Sequence, residues 1–471
     1  MMFRRTATMI GVLIATLTTA SCVSDNDVTL VQSHDAPTAA VVFTIDEAKP
    51  AQSYDAFIMR AISDIASFWA DSYPNAYGGA YVDLDGGVHP DYPGNTNIMP
   101  NGCDYTGDYS FVEDNAFYCD EGDFIVYDDA KLFPEFAQQF GEAVVGVILA
   151  HEWAHAIQGP HRHDILDRYG STTIELQADC FAGAWAAHVK ADGLGPFTMG
   201  DNDVTGALLG LVQIGDAPGD SAYDPAAHGS AFDRVSAFQD GFTGGIAPCV
   251  AYETDEPLPL QFGFSQEELV RPNPGDFPFG DEMFTELGGD LNLYWTAQLS
   301  GSAGANDTAW TAPTLRVDEF GDGAPDCTRR SDVVNGVWFC ADDNQVVLDR
   351  TTARKFYDEI PGDFAVGYLM GLGFGEAVQQ ALDSTLDGEK RALLDDCLVG
   401  MWARDILPFN QSPVVAPSET TPRVSLSPGD LDEAIRTALN LGDSDYSLGS
   451  PFDKVDSFRR GVLTGSDACL A

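Results

Sequence analysis

The sequence is short of positive charge. Its 471 residues include 24 Lys and Arg against 73 Asp and Glu, which gives a formal net charge of −49 at pH 7. A surface of this sign repels phosphate backbones and anionic lipid headgroups, so nucleic-acid binding through a basic face is excluded. The acidity otherwise indicates a heavily solvated surface and does not identify a function. A hydrophobic content of 44% with 11% aromatic residues excludes a disordered chain.

Long hydrophobic runs are also lacking beyond the N-terminus. The chain opens with Arg4 and Arg5, followed by the apolar run 9–17. This run is too short to span a membrane stably and is typical of a secretory signal peptide. The sequence therefore predicts an exported, extracytoplasmic protein.

The end of this signal resembles a bacterial lipoprotein signal covering residues 1–22. Cys22 follows small residues and is expected to carry the lipid, which would be the only membrane contact. Thr19 stands where such signals usually have Leu, so simple cleavage near Ala20, giving a secreted protein, is the alternative. Residues 23–50 predict a flexible tether between the anchor and the folded body.

Comparison of the chain with itself reveals one repeat with a period of about 220 residues. The matching segments are 63–69 with 289–295, 116–119 with 337–340, 180–186 with 397–403, and 229–235 with 449–455. We interpret them as two copies of one helix-rich α+β fold. The copies are expected at 51–255 and 282–471, joined by a Pro-containing linker at 256–281.

Each copy contains four cysteines in the same order. With Cys22 assigned to the lipid, the other eight form an even set suited to disulfides in an oxidising compartment. Four cysteines allow three pairings in each copy. The pairings we favour are Cys103 with Cys119, Cys180 with Cys249, Cys327 with Cys340, and Cys397 with Cys469.

The first copy carries an HExxH motif at the end of an apolar segment. Residues 140–158 predict a helix that ends at Gly159. Positions four apart share one helix face, so His151 and His155 can reach one zinc ion while Glu152 acts on a bound water. The alternative is a pair of hydrogen-bonded histidines on a core helix.

A second helix, starting near Thr172, carries two acidic residues four apart on an apolar segment. Glu175 and Asp179 repel each other at this spacing, so a cation is expected to compensate them. A zinc ion held by Glu175 would do so, and Asp179 would accept a hydrogen bond from a ligating His. The alternative is an exposed acidic edge of a buried helix.

At three segments the sequence resembles the bacterial neutral zinc metallopeptidase family. They are residues 150–158, 175–183 and 228–234. The resemblance implies a zincin-like fold of the gluzincin type and a hydrolase that cleaves extracytoplasmic proteins or peptides with one zinc ion per chain. It implies that His151, His155 and Glu175 are the metal ligands. Glu152 would then be the general base, and Ala154 stands where the family usually has Gly.

The oxyanion of the reaction needs a further stabilising group. His228 is the preferred candidate because the third segment of the resemblance carries it, while His161, His163 and several Tyr residues are alternatives. A second functional class also stays open, a surface binding or scaffold protein with a structural zinc site. Such a site needs a fourth protein ligand, which His228 would supply.

The second copy lacks the residues that the metal site requires. The positions that correspond to the ligands and the base hold Leu372, Gly373, Glu376 and Ala392. Asp396 alone retains its counterpart, Asp179, and no His follows position 228. The sequence therefore predicts a packed, catalytically empty repeat that recognises substrate, covers the cleft or stabilises the first copy.

Overall fold

A computed structural model describes the chain at residues 49–266, 268–270, 275–300, 310–320, 325–327, 336–410, 413–416, 423–441 and 447–470. These residues all fall within one compact unit and form the predicted helix-rich α+β fold. The signal peptide, Cys22 and nearly all of the tether lie outside the described residues. The boundaries of the two copies stay a prediction.

The first half of the unit combines a helical layer with a small sheet. Its helices are α1 (Asp55–Ala76), α2 (Leu132–Phe140), α3 (Ala143–Gln158), α4 (Ser171–Asp192), α5 (Asp201–Gln213), α6 (Ala231–Gly244) and α7 (Ile246–Ala251). Its strands are β1 (Gly87–Asp91), β2 (Ala116–Cys119) and β3 (Phe124–Asp128).

The second half repeats this order of elements. Its helices are α8 (Asp281–Leu299), α9 (Arg350–Glu359), α10 (Phe364–Ala381), α11 (Gly388–Asp405), α12 (Asp430–Asn440), α13 (Pro451–Thr464) and α14 (Ser466–Cys469). Its strands are β4 (Thr314–Asp318), β5 (Val337–Cys340) and β6 (Gln345–Asp349).

The two sheets have the same topology. In the first, β3 is central, with β1 parallel on one side and β2 antiparallel on the other. In the second, β6 is central, with β4 parallel and β5 antiparallel. β2, at one edge of its sheet, packs against α3 and so lies beside the HExxH motif.

The predicted helix over 140–158 is wrong at its start. α2 ends at Phe140, and α3 begins only at Ala143. Gly141 lies between them with φ 91°, a left-handed conformation that glycine adopts without strain and that ends α2. The apolar pattern runs through this break, because both helices face the same core.

α3 is apolar on all sides because it is surrounded by other elements. Nearly every residue from Ala143 to Gln158 is buried, as expected for a helix inside the core. A Cβ atom on Gly146 would lie 2.8 Å from the rings of both Phe57 and Trp185, so the glycine lets these rings close over α3. The two rings thus pack directly on α3.

α4 and α6 cross at unusually close range. A Cβ atom on Gly183 would overlap the Phe238 carbonyl oxygen, and one on Gly241 would overlap the Cys180 carbonyl oxygen. Only glycine permits this approach at both points. α11 and α13 of the second half meet in the same way.

The two halves pack through α5 and α6 of the first and α12 and α13 of the second. Polar bonds that cross this interface are Phe232 N to Asp432 Oδ1 (2.9 Å), Gln239 Nε2 to Phe452 O (3.0 Å), Arg459 Nη1 to Asp240 Oδ1 (2.6 Å) and Arg436 Nη2 to Val212 O (3.1 Å). One large hydrophobic core runs through both halves, and a smaller cluster lies around Phe124 of β3. The second half therefore braces α6 of the first.

Four disulfides join the cysteines in the favoured pairs: Cys103–Cys119, Cys180–Cys249, Cys327–Cys340 and Cys397–Cys469. Each closes within one half. In the part of the chain that the structure describes, the helices are too short or too polar to cross a membrane.

Candidate metal centre

Three side chains from two helices converge on one point. α3 supplies His151 and His155, and the second turn of α4 supplies Glu175. The two Nε2 atoms lie 3.1 Å apart. Glu175 Oε2 lies 3.2 Å from His151 Nε2, and Glu175 Oε1 lies 3.5 Å from His155 Nε2.

These spacings fit a tetrahedral metal ion. Zinc bonds of 2.0–2.1 Å to nitrogen and oxygen place neighbouring ligand atoms about 3.3 Å apart. Glu175 Oε2 is buried without a properly directed hydrogen bond from any described residue. Imidazole and carboxylate are also the ligand types of catalytic zinc sites, so the residues present fit zinc.

The electrostatics of the site favour a cation at this point. Burial alone would lower the pKa of His151, but the carboxylates of Asp179 and Glu175 outweigh burial and raise this pKa to about 10. Burial raises the pKa of Glu175, yet His155 and His151 together hold it below its ordinary value. The carboxylates of Asp179 and Glu175 therefore favour a positively charged group at the point where the three side chains converge.

The Nδ1 atoms of both histidines are held by acceptors outside the cluster. His151 Nδ1 lies 2.8 Å from Asp179 Oδ1, and His155 Nδ1 lies 2.8 Å from Gln158 Oε1. Because these oxygens accept, each Nδ1 carries a proton, and in a neutral ring Nε2 is then the atom available to a metal ion. Asp179 thus contacts the far ring nitrogen of His151, and the role of that ring as a metal ligand stays a prediction.

Gln158 was not singled out from the sequence. Its amide Nε2 donates to Ile174 O and to Gln177 Oε1, both at 2.9 Å, so its Oε1 is turned toward His155. Its place at the end of the segment 150–158, three residues after His155, was the available signal. The amide links the end of α3 to the first turn of α4 and fixes their register at the site.

Asp179 is itself held by a buried arginine of α6. Arg234 Nε lies 2.8 Å from Asp179 Oδ2, and Arg234 Nη2 lies 2.9 Å from Oδ1. Burial would raise the pKa of Asp179, but Arg234 and then His151 outweigh burial and keep it below its ordinary value. The contacts from Arg234 through Asp179 to His151 therefore link α6 to the ring of a candidate metal ligand.

Glu152 is placed beside the ligands by β2. Its Oε2 accepts a hydrogen bond from the backbone N–H of Tyr118 at 2.9 Å. The Tyr118 hydroxyl donates to Asp123, which also receives Arg162 Nη1 at 2.7 Å. Burial raises the pKa of Glu152 above its ordinary value, which strengthens it as a base.

The other predicted histidines lie apart from the cluster of three ligands. His228 has a half-exposed side chain whose Nδ1 is 3.6 Å from Asp216 Oδ1. His161 Nε2 contacts Asp120 O at 2.8 Å, and His163 Nε2 contacts Glu253 Oε2 at 2.9 Å. The role of His228 as the oxyanion stabiliser stays a prediction.

The second half retains the support of the site without its ligands. Asp396, the counterpart of Asp179, accepts from Tyr368 at 2.7 Å and lies 3.2 Å from Lys454 Nζ. Glu376, which the alignment places at His155, pairs instead with Arg391, whose Nε is 2.9 Å from Oε2. An ion pair between two side chains of the second half therefore occupies the position that corresponds to the candidate ligands of the first half.

Comparison with known proteins supports the interpretation of the first half as similar to a zinc metallopeptidase. A family model described as "Putative neutral zinc metallopeptidase" matches residues 106–252. An uncharacterized protein of Mycobacterium tuberculosis strain H37Rv is 31% identical over 156 residues, which are 28% of this chain and 53% of that protein. The uncharacterized protein YpfJ of Escherichia coli K12 is 29% identical over 150 residues, which are 27% of this chain and 50% of that protein.

The matched region covers the HExxH motif, Glu175, Asp179 and Arg234. The chain spans about half the length of the curated relatives it matches. No solved structure matches the chain significantly.

Proposed function

We propose that this protein is a zinc-dependent metallopeptidase that hydrolyses peptide bonds of extracytoplasmic proteins or peptides, with Glu152 as the general base. The observation that carries the proposal is the convergence of His151 Nε2, His155 Nε2 and Glu175 at spacings of 3.1–3.5 Å. Among the described residues the cluster has three members, which leaves a fourth tetrahedral position for water. This favours a catalytic site over the closed site of a scaffold protein.

His151, His155 and Glu175 would hold the zinc ion. When bound, zinc supplies Lewis acidity that lowers the pKa of a water and polarises a carbonyl. Asp179 and Gln158 hold the two rings in one tautomer. Glu152 takes a proton from the attacking water at its carboxylate and returns it to the leaving amine. The Tyr118 N–H keeps that carboxylate in place through both transfers.

The second half is proposed to be a degenerate copy of the first. Besides the common order of elements, one bond recurs at equivalent positions: Trp185 Nε1 donates to Asp64 at 2.8 Å, and Trp402 Nε1 donates to Asp290 at 2.8 Å. Lys454 likewise pairs with Asp396 where Arg234 pairs with Asp179. The bonds that this half makes to α6 support a stabilising role.

Export and lipidation at Cys22 are proposed on the sequence alone. Replacing Cys22 by Ala is expected to release the protein from the membrane fraction while leaving its peptidase activity intact. Fractionation of cells expressing the two forms tests this proposal.

The peptidase proposal is tested by comparing the wild type with Glu152→Gln. Metal analysis should find one zinc ion in each form, because Glu152 is not a ligand. Cleavage of casein or a peptide library should fall by on the order of 10²–10⁴ in the variant. Equal cleavage by both forms would remove Glu152 from the mechanism. Bound zinc with no cleavage by the wild type would favour the scaffold function.

A further inference from the structure

Two buried glutamine side chains connect His155 to α7 through hydrogen bonds. Gln158 ends α3, and Gln177 lies in the second turn of α4. Gln158 Nε2 donates to Gln177 Oε1 at 2.9 Å, and Gln177 Nε2 donates to Cys249 O of α7 at 3.0 Å. Gln177 is not a candidate ligand, so its buried amide needs another explanation.

The direction of these bonds is set at the α7 end. A backbone carbonyl only accepts hydrogen bonds, so Cys249 O requires the NH₂ group of Gln177. The second oxygen near this nitrogen, Glu253 Oε1 at 3.4 Å, belongs to a carboxylate and favours the same orientation. The Oε1 atom of Gln177 is therefore turned toward Gln158.

The amide of Gln158 is oriented in the same way. Its Nε2 atom donates to two acceptors, Gln177 Oε1 and the backbone oxygen of Ile174, both at 2.9 Å. This leaves Gln158 Oε1 to face His155 Nδ1 at 2.8 Å. An acceptor at this place keeps a proton on Nδ1, so Nε2 is the nitrogen of the neutral ring that can bind a metal.

The reverse orientation of both amides is disfavoured by two buried contacts. The oxygen of Gln177 would face Cys249 O, and the oxygen of Gln158 would face Ile174 O. Each contact would bring two acceptors together without a donor, which is costly in a buried place. His155 would then meet an NH₂ group at Nδ1, and its ring proton would move to Nε2. Without Gln177, Ile174 O alone would oppose this reversal.

The acceptor at the α7 end is fixed to the helix that carries Gln177. The disulfide Cys180–Cys249 joins α4 to α7, and both of its cysteines are buried. Gln177 lies three residues before Cys180, on the same helix. The carbonyl that orients the first amide is therefore covalently held beside it.

We propose that Gln177 is a positioning residue, which keeps the Gln158 oxygen on His155 and so keeps Nε2 of this ring available to zinc. This inference rests on the zinc site of the proposed function.

The first test measures zinc affinity by competition with a chromophoric chelator. Gln177→Met replaces the amide by an apolar chain of similar length. It should lower zinc affinity by about tenfold, the lower end of the loss for groups that orient a ligating His. Zinc affinity equal to that of the wild type would overturn the inference.

The second half offers a matched control in Gln379, near the end of α10. Its side chain is also fully buried, and its Nε2 donates to Arg391 O at 2.8 Å and to Asp395 Oδ1 at 2.7 Å. Gln379→Met should leave zinc affinity unchanged, whatever it does to stability. An equal loss of affinity in this control would also overturn the inference, because any buried amide would then have the same effect.

A double-mutant cycle separates positioning from a general structural effect. Gln158→Met should lower zinc affinity, and adding Gln177→Met should lower it no further, because Gln177 acts only through Gln158. Additive losses would contradict this relation. If Gln177→Met does not fold, Gln177→Asn takes its place in both comparisons, since its amide is one methylene too short to bridge Gln158 and Cys249 O.

Nuclear magnetic resonance of the zinc-free protein, labelled with ¹⁵N at histidine, tests the inference without zinc or cleavage. The Nδ1 proton of His155 should exchange with solvent several-fold faster in Gln177→Met than in the wild type. The Nδ1 proton of His151, which faces Asp179, is the internal control and should be unchanged. Equal exchange of the His155 proton in both forms would overturn the inference. If the wild type binds no zinc, the proposed function fails, while this comparison still decides whether Gln177 orients the ring.

Discussion

Replacing Asp179 by Asn should weaken zinc binding and destabilise the protein at once. Asp179 is fully buried and uses both oxygens, one toward His151 and Arg234 and the other toward Arg234 alone. Asn offers a single acceptor oxygen and no charge. The substitution therefore leaves the guanidinium of Arg234, 2% exposed, buried without its counter-charge.

The magnitude follows from these contacts. Removing one partner of a buried ion pair costs about 3–5 kcal/mol of unfolding free energy. Loss of the acceptor that orients a ligating imidazole costs about 10- to 100-fold in metal affinity. Zinc affinity is measured by competition with a chromophoric chelator, and stability by urea unfolding of the metal-loaded and metal-free forms.

The chain contains its own control. Asp396 is the counterpart of Asp179, equally buried and paired with Lys454, but it contacts no metal-ligand histidine. Asp396→Asn should therefore destabilise the protein and leave zinc affinity unchanged. The reasoning is refuted if both variants weaken zinc binding to the same extent, or if Asp179→Asn binds zinc as tightly as the wild type.

Three further predictions concern stability. Chelation of zinc should lower the melting temperature, since a ligand present at about 1,000 times its Kd stabilises the folded state by about 4 kcal/mol; an unchanged melting curve would contradict a bound zinc ion. Burial and then Asp276 raise the pKa of Asp363 to about 7 from an ordinary 3.8. Between these values the folded state keeps a proton that the unfolded state has lost, so stability falls as the pH rises through the interval. Asp363→Asn should thus stabilise the protein more at pH 8 than at pH 5.5 in urea unfolding, and an equal effect at both would disprove the shift. Gly183→Ala should destabilise by about 1–3 kcal/mol because its Cβ would overlap the Phe238 carbonyl, whereas Gly289→Ala, in open space on α8, should not, and calorimetry of the two variants compares them.

The two pairs of candidate residues could be picked out from the sequence because each pair depends on local periodicity. His151 and His155 share a face of one helix, and Glu175 and Asp179 share a face of the next, whatever the rest of the chain does. The excess of carboxylates on an apolar helix then indicated a cation. The start of α3 could not be placed from periodicity, because hydrophobicity continues across Gly141 and only its backbone conformation reveals the break.

The groups that act through tertiary contacts could not be predicted. Arg234 adjoins Asp233 in sequence, but it pairs with Asp179 from another helix, while Asp233 bonds with Ser230 at the start of α6. The N–H of Tyr118 is a backbone group, so the type of residue at position 118 does not reveal that it donates to Glu152. Such contacts depend on how α4, α6 and β2 meet, which no spacing along the chain encodes.

The ion pair between Glu376 and Arg391 has a consequence for how the protein would take up the proposed zinc ion. Arg391 supplies the second half with a positive charge at the equivalent place, so this half folds without zinc. Because that half also braces α6, a newly made chain would hold Arg234 and Asp179 ready before the first zinc ion arrives. When zinc is scarce, the protein would then stay folded without metal and could still bind zinc later. Its sensitivity to proteolysis would rise in the first half alone.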